Sequence, residues 1–187
     1  MNNNFQILTL DKKGITDFGS ERNNLLSSSK SEWVMFLDSD EKIVSFDLPS
    51  NNKFSCYQFI RKNYFLGQYV GSDKIIRLIK KGTGKWVRRV HEVWKPASGP
   101  VGKINTPIIH NTADSLHDYI SKMNFYSDLH AKANKEEGKR SDLFKIIFYP
   151  VGKFIVTFIK SKNMVFSIMQ SFHSFLAWSE LWILQKG

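Results

Sequence analysis

The chain has 187 residues, 42% of them hydrophobic, enough to bury a core, and this length favours one domain plus an appendage over two full domains. Its 27 Lys and Arg against 17 Asp and Glu give a formal charge of +10, which favours anionic partners: nucleotide diphosphates, anionic lipid head groups or nucleic acid. A single cysteine, Cys56, excludes an internal disulfide framework and a Cys-rich zinc site, and reads as a small strand hydrophobe in a reducing compartment. The amino end, MNNNFQILTL, lacks the basic region and long apolar run of a secretory signal, which predicts a cytoplasmic amino-terminal region.

Residues 5–10 have strand character and lead into a Gly-containing loop and a short helix over residues 20–26. Residues 32–37 form a continuous apolar run bounded by polar residues; the absence of alternation predicts a strand covered on both faces, as in the middle of an α/β sheet. That run stops at Asp38-Ser39-Asp40-Glu41. Two or three strands are expected between Phe54 and Ile79, with Gly67 and Gly71 as turn points. From Lys74 to Lys103, nine Lys or Arg accompany one acid, Glu92, a pattern open to two readings: a solvated basic face or an anion-binding surface.

Ser115 with Asp118 makes a capping-box-like start, Asp standing where Glu or Gln is usual. A long amphipathic helix follows, with Leu116, Tyr119, Ile120, Met123, Tyr126 and His130 at helical spacing, and runs up to Gly138. Residues 143–159 and 164–184 are strongly apolar and aromatic, punctuated by Lys139, Arg140, Lys145, Lys153, Lys160 and Lys162.

Two aspartates one residue apart at the carboxyl end of a buried strand place several carboxylate oxygens in a tight turn. Hard oxygen ligands suit Mg²⁺ or Mn²⁺, and ligands in open α/β sheets gather outside the carboxyl ends of the strands. Alone, Asp-x-Asp is a weak signal; the preceding strand strengthens it.

Trp33-Val34-Met35-Phe36-Leu37-Asp38-Ser39-Asp40-Glu41 resembles the strand and Asp-x-Asp signature of family-two glycosyltransferases, the inverting enzymes of the GT-A fold. Other segments stand in the order expected for the branch that includes lipopolysaccharide-core glucosyltransferases. These are Phe18-Gly19-Ser20-Glu21-Arg22-Asn23, Arg61-Lys62-Asn63-Tyr64-Phe65-Leu66-Gly67, Ile76-Arg77-Leu78, Arg89-Val90-His91-Glu92, Gly99-Pro100-Val101-Gly102 and Ile108-Ile109-His110. The resemblance continues into the helix after Ser115 and the aromatic tail.

The resemblance implies an α/β fold, a truncated GT-A (Rossmann-like) mixed sheet with carboxy-terminal amphipathic and hydrophobic helices. Its parts would be a partial glycosyltransferase domain over 1–113, an amphipathic helix packed on it over 114–138, and hydrophobic, basic, membrane-associating helices over 139–187. It also implies roles. Asp38 would lie near the ribose or diphosphate of a nucleotide-sugar donor and share the metal, Mg²⁺ or Mn²⁺, with Asp40. His110, at a strand end, would add a metal or diphosphate contact, or be an ordinary strand-end histidine. Arg22 would approach the donor nucleotide, or sit on a helix surface. Inverting transfer needs a base for the acceptor hydroxyl; Glu92 is the choice, with His91 as substitute or as the group that orients it. Arg88 and Arg89 would contact phosphate or acceptor.

Relatives of this kind begin with two strands and an Asp-rich turn for the nucleobase and ribose, so the resemblance starts at the third strand. The readings this leaves open are a gene fragment, an alternative start or an enzyme completed by a partner chain, and a homo-oligomer is a further expected partner state. The exposed sheet edge this implies invites pairing. In the tail, a spanning helix needs about 20 predominantly apolar residues, and a central charge costs about 2.5–3.5 kcal/mol. Lys145, Pro150 and Lys153 make residues 143–159 a poor span, and residues 164–184 are borderline; helices lying on an anionic membrane surface are expected, or else a pair packed on the domain or another subunit. The function expected is metal-dependent, inverting transfer of a sugar to a cell-surface glycan or lipid-linked saccharide, peripheral on the cytoplasmic face of the plasma membrane. The alternative is a catalytically impaired fragment or binding subunit. Nucleic-acid binding rests on charge alone and is set aside.

Overall fold

The computed structural model describes residues 5–10, 14–49 and 53–187, and the loop read after Leu10 lies partly outside them. The chain is a mixed α/β structure that divides into two compact units, Met1–Asn63 with Ser72–His110, and Tyr64–Gly71 with Asn111–Gly187.

In the first unit, β1 (Phe5–Leu8) runs parallel to β2 (Trp33–Phe36), and α1 (Phe18–Ser28) connects them. Asp17 caps α1, its Oδ1 accepting from the Ser20 N–H at 2.9 Å. β2 is also antiparallel to β5 (Gln68–Lys80), Met35 facing Leu78. The sheet order is β1-β2-β5-β4-β8-β3, where β3 is Glu41–Ile43, β4 Cys56–Phe65 and β8 Gly102–Ala113. β3 pairs antiparallel with β8, Glu41 opposite His110. A separate antiparallel pair is formed by β6 (Gly84–Val87) and β7 (Val93–Pro96).

The unbroken apolar run of β2 is explained by its two covered faces. Trp33, Met35 and Leu37 join a cluster with Phe5, Tyr57, Phe59, Leu78 and Ile108, while Val34 and Phe36 point the other way into one with Leu26, Cys56, Ile79, Trp86 and Trp94. Cys56 is fully buried there as a free thiol. One turn reading needs correction: Leu66 and Gly67 do turn the chain, but Gly71 lies inside β5 at φ +135°, backbone only glycine adopts easily.

In the second unit, Ser115 caps α2 (Leu116–Glu136): its Oγ accepts from the Asp118 N–H at 3.0 Å and donates to Asp118 Oδ2 at 2.5 Å. Tyr119 and Met123 pack with Phe65, Val70 and Ala113. α3 (Leu143–Ser161) turns through Lys162, in the left-handed region, into α4 (Met164–Leu184), which Asn163 caps. α4 packs against both α2 and α3. No described helix is long and apolar enough to cross a membrane.

Candidate functional site

An apolar strand that carries a lone arginine must also supply its countercharge. In Ile75-Ile76-Arg77-Leu78-Ile79 that arginine is 2% exposed, and it sits beside β2, whose carboxyl end delivers the acidic turn. Arg77 Nη2 donates to Asp38 Oδ2 at 2.5 Å and to Glu41 Oε1 at 2.6 Å. The Asp38 Oδ1 accepts from Arg22 Nη2 at 2.5 Å, and Arg22 Nε donates to Glu92 Oε1 at 2.8 Å. One guanidinium therefore joins the acidic turn to Glu92.

Arg22 is only 1% exposed because α1 is fastened over the site. Both amide ends of Asn23 hold the Trp86 backbone, its Nδ2 donating to the carbonyl and its Oδ1 accepting from the N–H, each at 2.9 Å. The Arg22 guanidinium carbon lies 4.9 Å from the Trp86 ring and 5.3 Å from that of Phe36. Burial works to raise the Asp38 carboxyl, but the Arg77 and Arg22 charges and hydrogen bonds outweigh it and hold that carboxyl below the usual carboxylate range. Burial likewise opposes charge on Arg77, and Asp38 and Glu41 reverse the effect.

The chain of charges continues along β4. Glu41, wholly buried, also accepts from Arg61 Nη1 at 3.0 Å and, through Oε2, from the Asp38 N–H at 3.2 Å. Arg61 forks onto Asp73 at 3.1 and 2.7 Å, and Asn63 Nδ2 donates to the same Asp73 at 2.9 Å. That bond orients the Asn63 amide, whose Oδ1 lies 2.7 Å from His110 Nδ1. On its other side, His110 Nε2 lies 3.6 Å from Asp40 Oδ1.

The Asp-x-Asp pair thus has divided contacts: Asp38 goes to the arginines and Asp40 to His110. Among the described residues no group of three or more His, Cys, Asp or Glu could hold a metal ion. A carboxylate oxygen and an imidazole nitrogen this close could serve as two ligands of a divalent cation. Among the described residues, Arg22 Nη1 and Arg77 Nε are buried without an acceptor.

Glu92 receives its cation from α1, not from the basic stretch that surrounds it in sequence. It follows a loop in which Arg88 (φ +75°) and His91 (φ +53°) hold left-handed backbone, a strained state that the neighbouring contacts must maintain. The Arg89 carbonyl accepts from the Phe18 N–H at 2.9 Å, and Arg89 Nε is 3.7 Å from Asp17. Gly19 is required there, because a Cβ would lie 2.5 Å from the Arg88 carbonyl oxygen. Arg88, Arg89 and His91 are exposed.

Among the residues read as candidates from sequence, Arg22, Asp38 and Glu92 stand in one network, and Asp40 with His110 at the far end of the same charge chain. Glu41, Arg61, Asn63, Asp73 and Arg77 were not assigned roles. The available signal was Arg77 inside an apolar strand.

No protein-family model matches the chain. It is 26% identical over 148 residues to the lipopolysaccharide core biosynthesis glycosyltransferase LpsC of Rhizobium meliloti (strain 1021). The similarity is to a glycosyltransferase. It covers 71% of this chain and 54% of the relative, so the chain spans about half the relative's length. A glycosyltransferase relationship is supported at that distance, and the mixed α/β architecture is consistent with it.

Proposed function

We propose that the chain is a glycosyltransferase that moves a sugar from a nucleotide-sugar donor to a cell-surface glycan or lipid-linked saccharide. The reaction proposed is inverting, on a GT-A-type fold, at the cytoplasmic face of the plasma membrane. The observation that carries this reading is the joined geometry at the end of β2, where Arg22 ties Asp38 to Glu92 and Asp40 faces His110, in a chain similar to a lipopolysaccharide-core enzyme.

Asp40 and His110 would hold a Mg²⁺ or Mn²⁺ ion, which when bound offsets the charge of a departing nucleoside diphosphate. Asp38, kept ionised by two arginines, is set to accept from hydroxyl groups of the donor ribose or sugar. Arg22 anchors Glu92 by Oε1, leaving Oε2 to take the proton of the acceptor hydroxyl as its oxygen bonds to the anomeric carbon and the diphosphate leaves from the opposite face. Arg88 and Arg89, exposed beside Glu92 in sequence, are assigned to phosphate or acceptor contact, and His91 to the orientation of Glu92.

Calorimetric titration of nucleoside diphosphates with and without Mn²⁺ tests the reading. Metal-dependent binding that disappears in Asp40→Ala and weakens in His110→Ala is expected. Absence of binding to the folded wild type, or binding indifferent to both substitutions, would sink it.

A further inference from the structure

We propose that one face of α3 lies in the surface of an anionic lipid bilayer. Phe144, Ile147, Val151, Ile155 and Ile159 fall within about 120° of the helix circumference at about 3.6 residues per turn and form one ridge along the helix. Each is at least half exposed, and the aromatic Phe148 beside them is exposed too. A continuous apolar ridge of this length exceeds the scattered surface hydrophobics that water tolerates. α3 turns another side, around Pro150, to α4, where Ser171 Oγ donates to the Pro150 carbonyl at 2.8 Å. The ridge is therefore not the packing face of the hairpin.

Charge identifies what covers it. Between Leu143 and Ser179 there is no Asp or Glu, while Lys153, Lys160 and Lys162 are exposed along α3 and its turn. A protein partner would ordinarily meet charges of both signs around an apolar patch, whereas cations of a single sign match anionic head groups. Lys153 at the middle of the helix opposes a transverse placement, which would carry it into the hydrocarbon, and suits an in-plane one, in which its stem reaches up to the head groups. The inference uses the second unit alone and stands apart from the catalytic reading.

Co-sedimentation of the full chain with vesicles tests it, using phosphatidylcholine alone and phosphatidylcholine with about one third phosphatidylglycerol. Retention on the anionic vesicles, weaker on neutral ones and falling with salt, is expected. Ile147→Asp with Ile155→Asp should lower retention at least about tenfold on both. Lys153→Glu with Lys160→Glu should lower it about fivefold or more per lysine on anionic vesicles only. Unchanged circular dichroism would show that both variants fold, and unchanged nucleoside diphosphate binding would separate this result from the catalytic one. Wild-type chain that stays in the supernatant overturns the proposal. So does a ridge variant that binds vesicles as the wild type does, including one that converts a dimer to a monomer without changing vesicle binding.

Discussion

Arg77→Met tests whether the buried charges at the end of β2 hold the first unit together. Methionine keeps the apolar stem between Ile76 and Leu78 but removes the nitrogen shared by Asp38 and Glu41, at 2.5 and 2.6 Å. Removing one partner of a buried ion pair costs about 3–5 kcal/mol because the other charge stays desolvated. The lower end applies here, since Glu41 keeps Arg61 and the Asp38 side chain is 34% exposed, which screens its share. A loss of about 3 kcal/mol is expected from urea unfolding at neutral pH. The pH dependence supplies a sign. Asp38 has its carboxyl lowered in the folded chain, so it contributes stability above the unfolded value of about 3.9 and loses it as pH falls through the folded one. The gap between wild type and variant should therefore narrow in acid. A loss under about 1 kcal/mol, or a gap constant down to pH 3, would refute the account.

Asn23→Ala removes both amide bonds to the Trp86 backbone and should cost about 1–3 kcal/mol in unfolding experiments, with weaker nucleotide binding as Arg22 loses its frame. In Gly19→Ala, the added methyl meets the Arg88 carbonyl and displaces the Glu92 loop, so transfer activity should fall more than stability does, the latter by about 1–3 kcal/mol. Ser115→Ala should cost about 1 kcal/mol by removing the cap of α2, read as a lower urea midpoint. Burial raises the Glu180 carboxyl, with Ser127 opposing it; such a group gives stability fully present below its unfolded value and lost as pH rises through the folded one. Glu180→Gln should accordingly flatten that part of the pH profile and leave the neutral-pH stability equal or higher.

The fold was legible where one physical cause dominates. The Trp33-Val34-Met35-Phe36 run gave its double coverage away because only a strand apolar on both sides needs no alternation, and Ser115 with Asp118 marked α2 because the first turn of a helix needs side-chain acceptors. The acidic turn followed from where the run stopped. The pairing of charges was not legible: Arg77 is 39 residues from Asp38, and Glu92 is 70 from Arg22, separations that only the folded sheet closes. Nor could the sequence show that a neighbouring Asp38 and Asp40 would turn to different partners, since that depends on β8 bringing His110 opposite Glu41. Gly71 read as a turn because glycine marks turns and irregular strand positions alike.

The three-residue β3 serves as the gauge that sets this arrangement. Its register fixes Glu41 against His110, and a displacement by a single residue would exchange inward and outward side chains, carrying Glu41 away from its arginines and Asp40 from the imidazole. One residue gained or lost between Leu37 and Glu41 should dismantle both halves of the charge cluster at once.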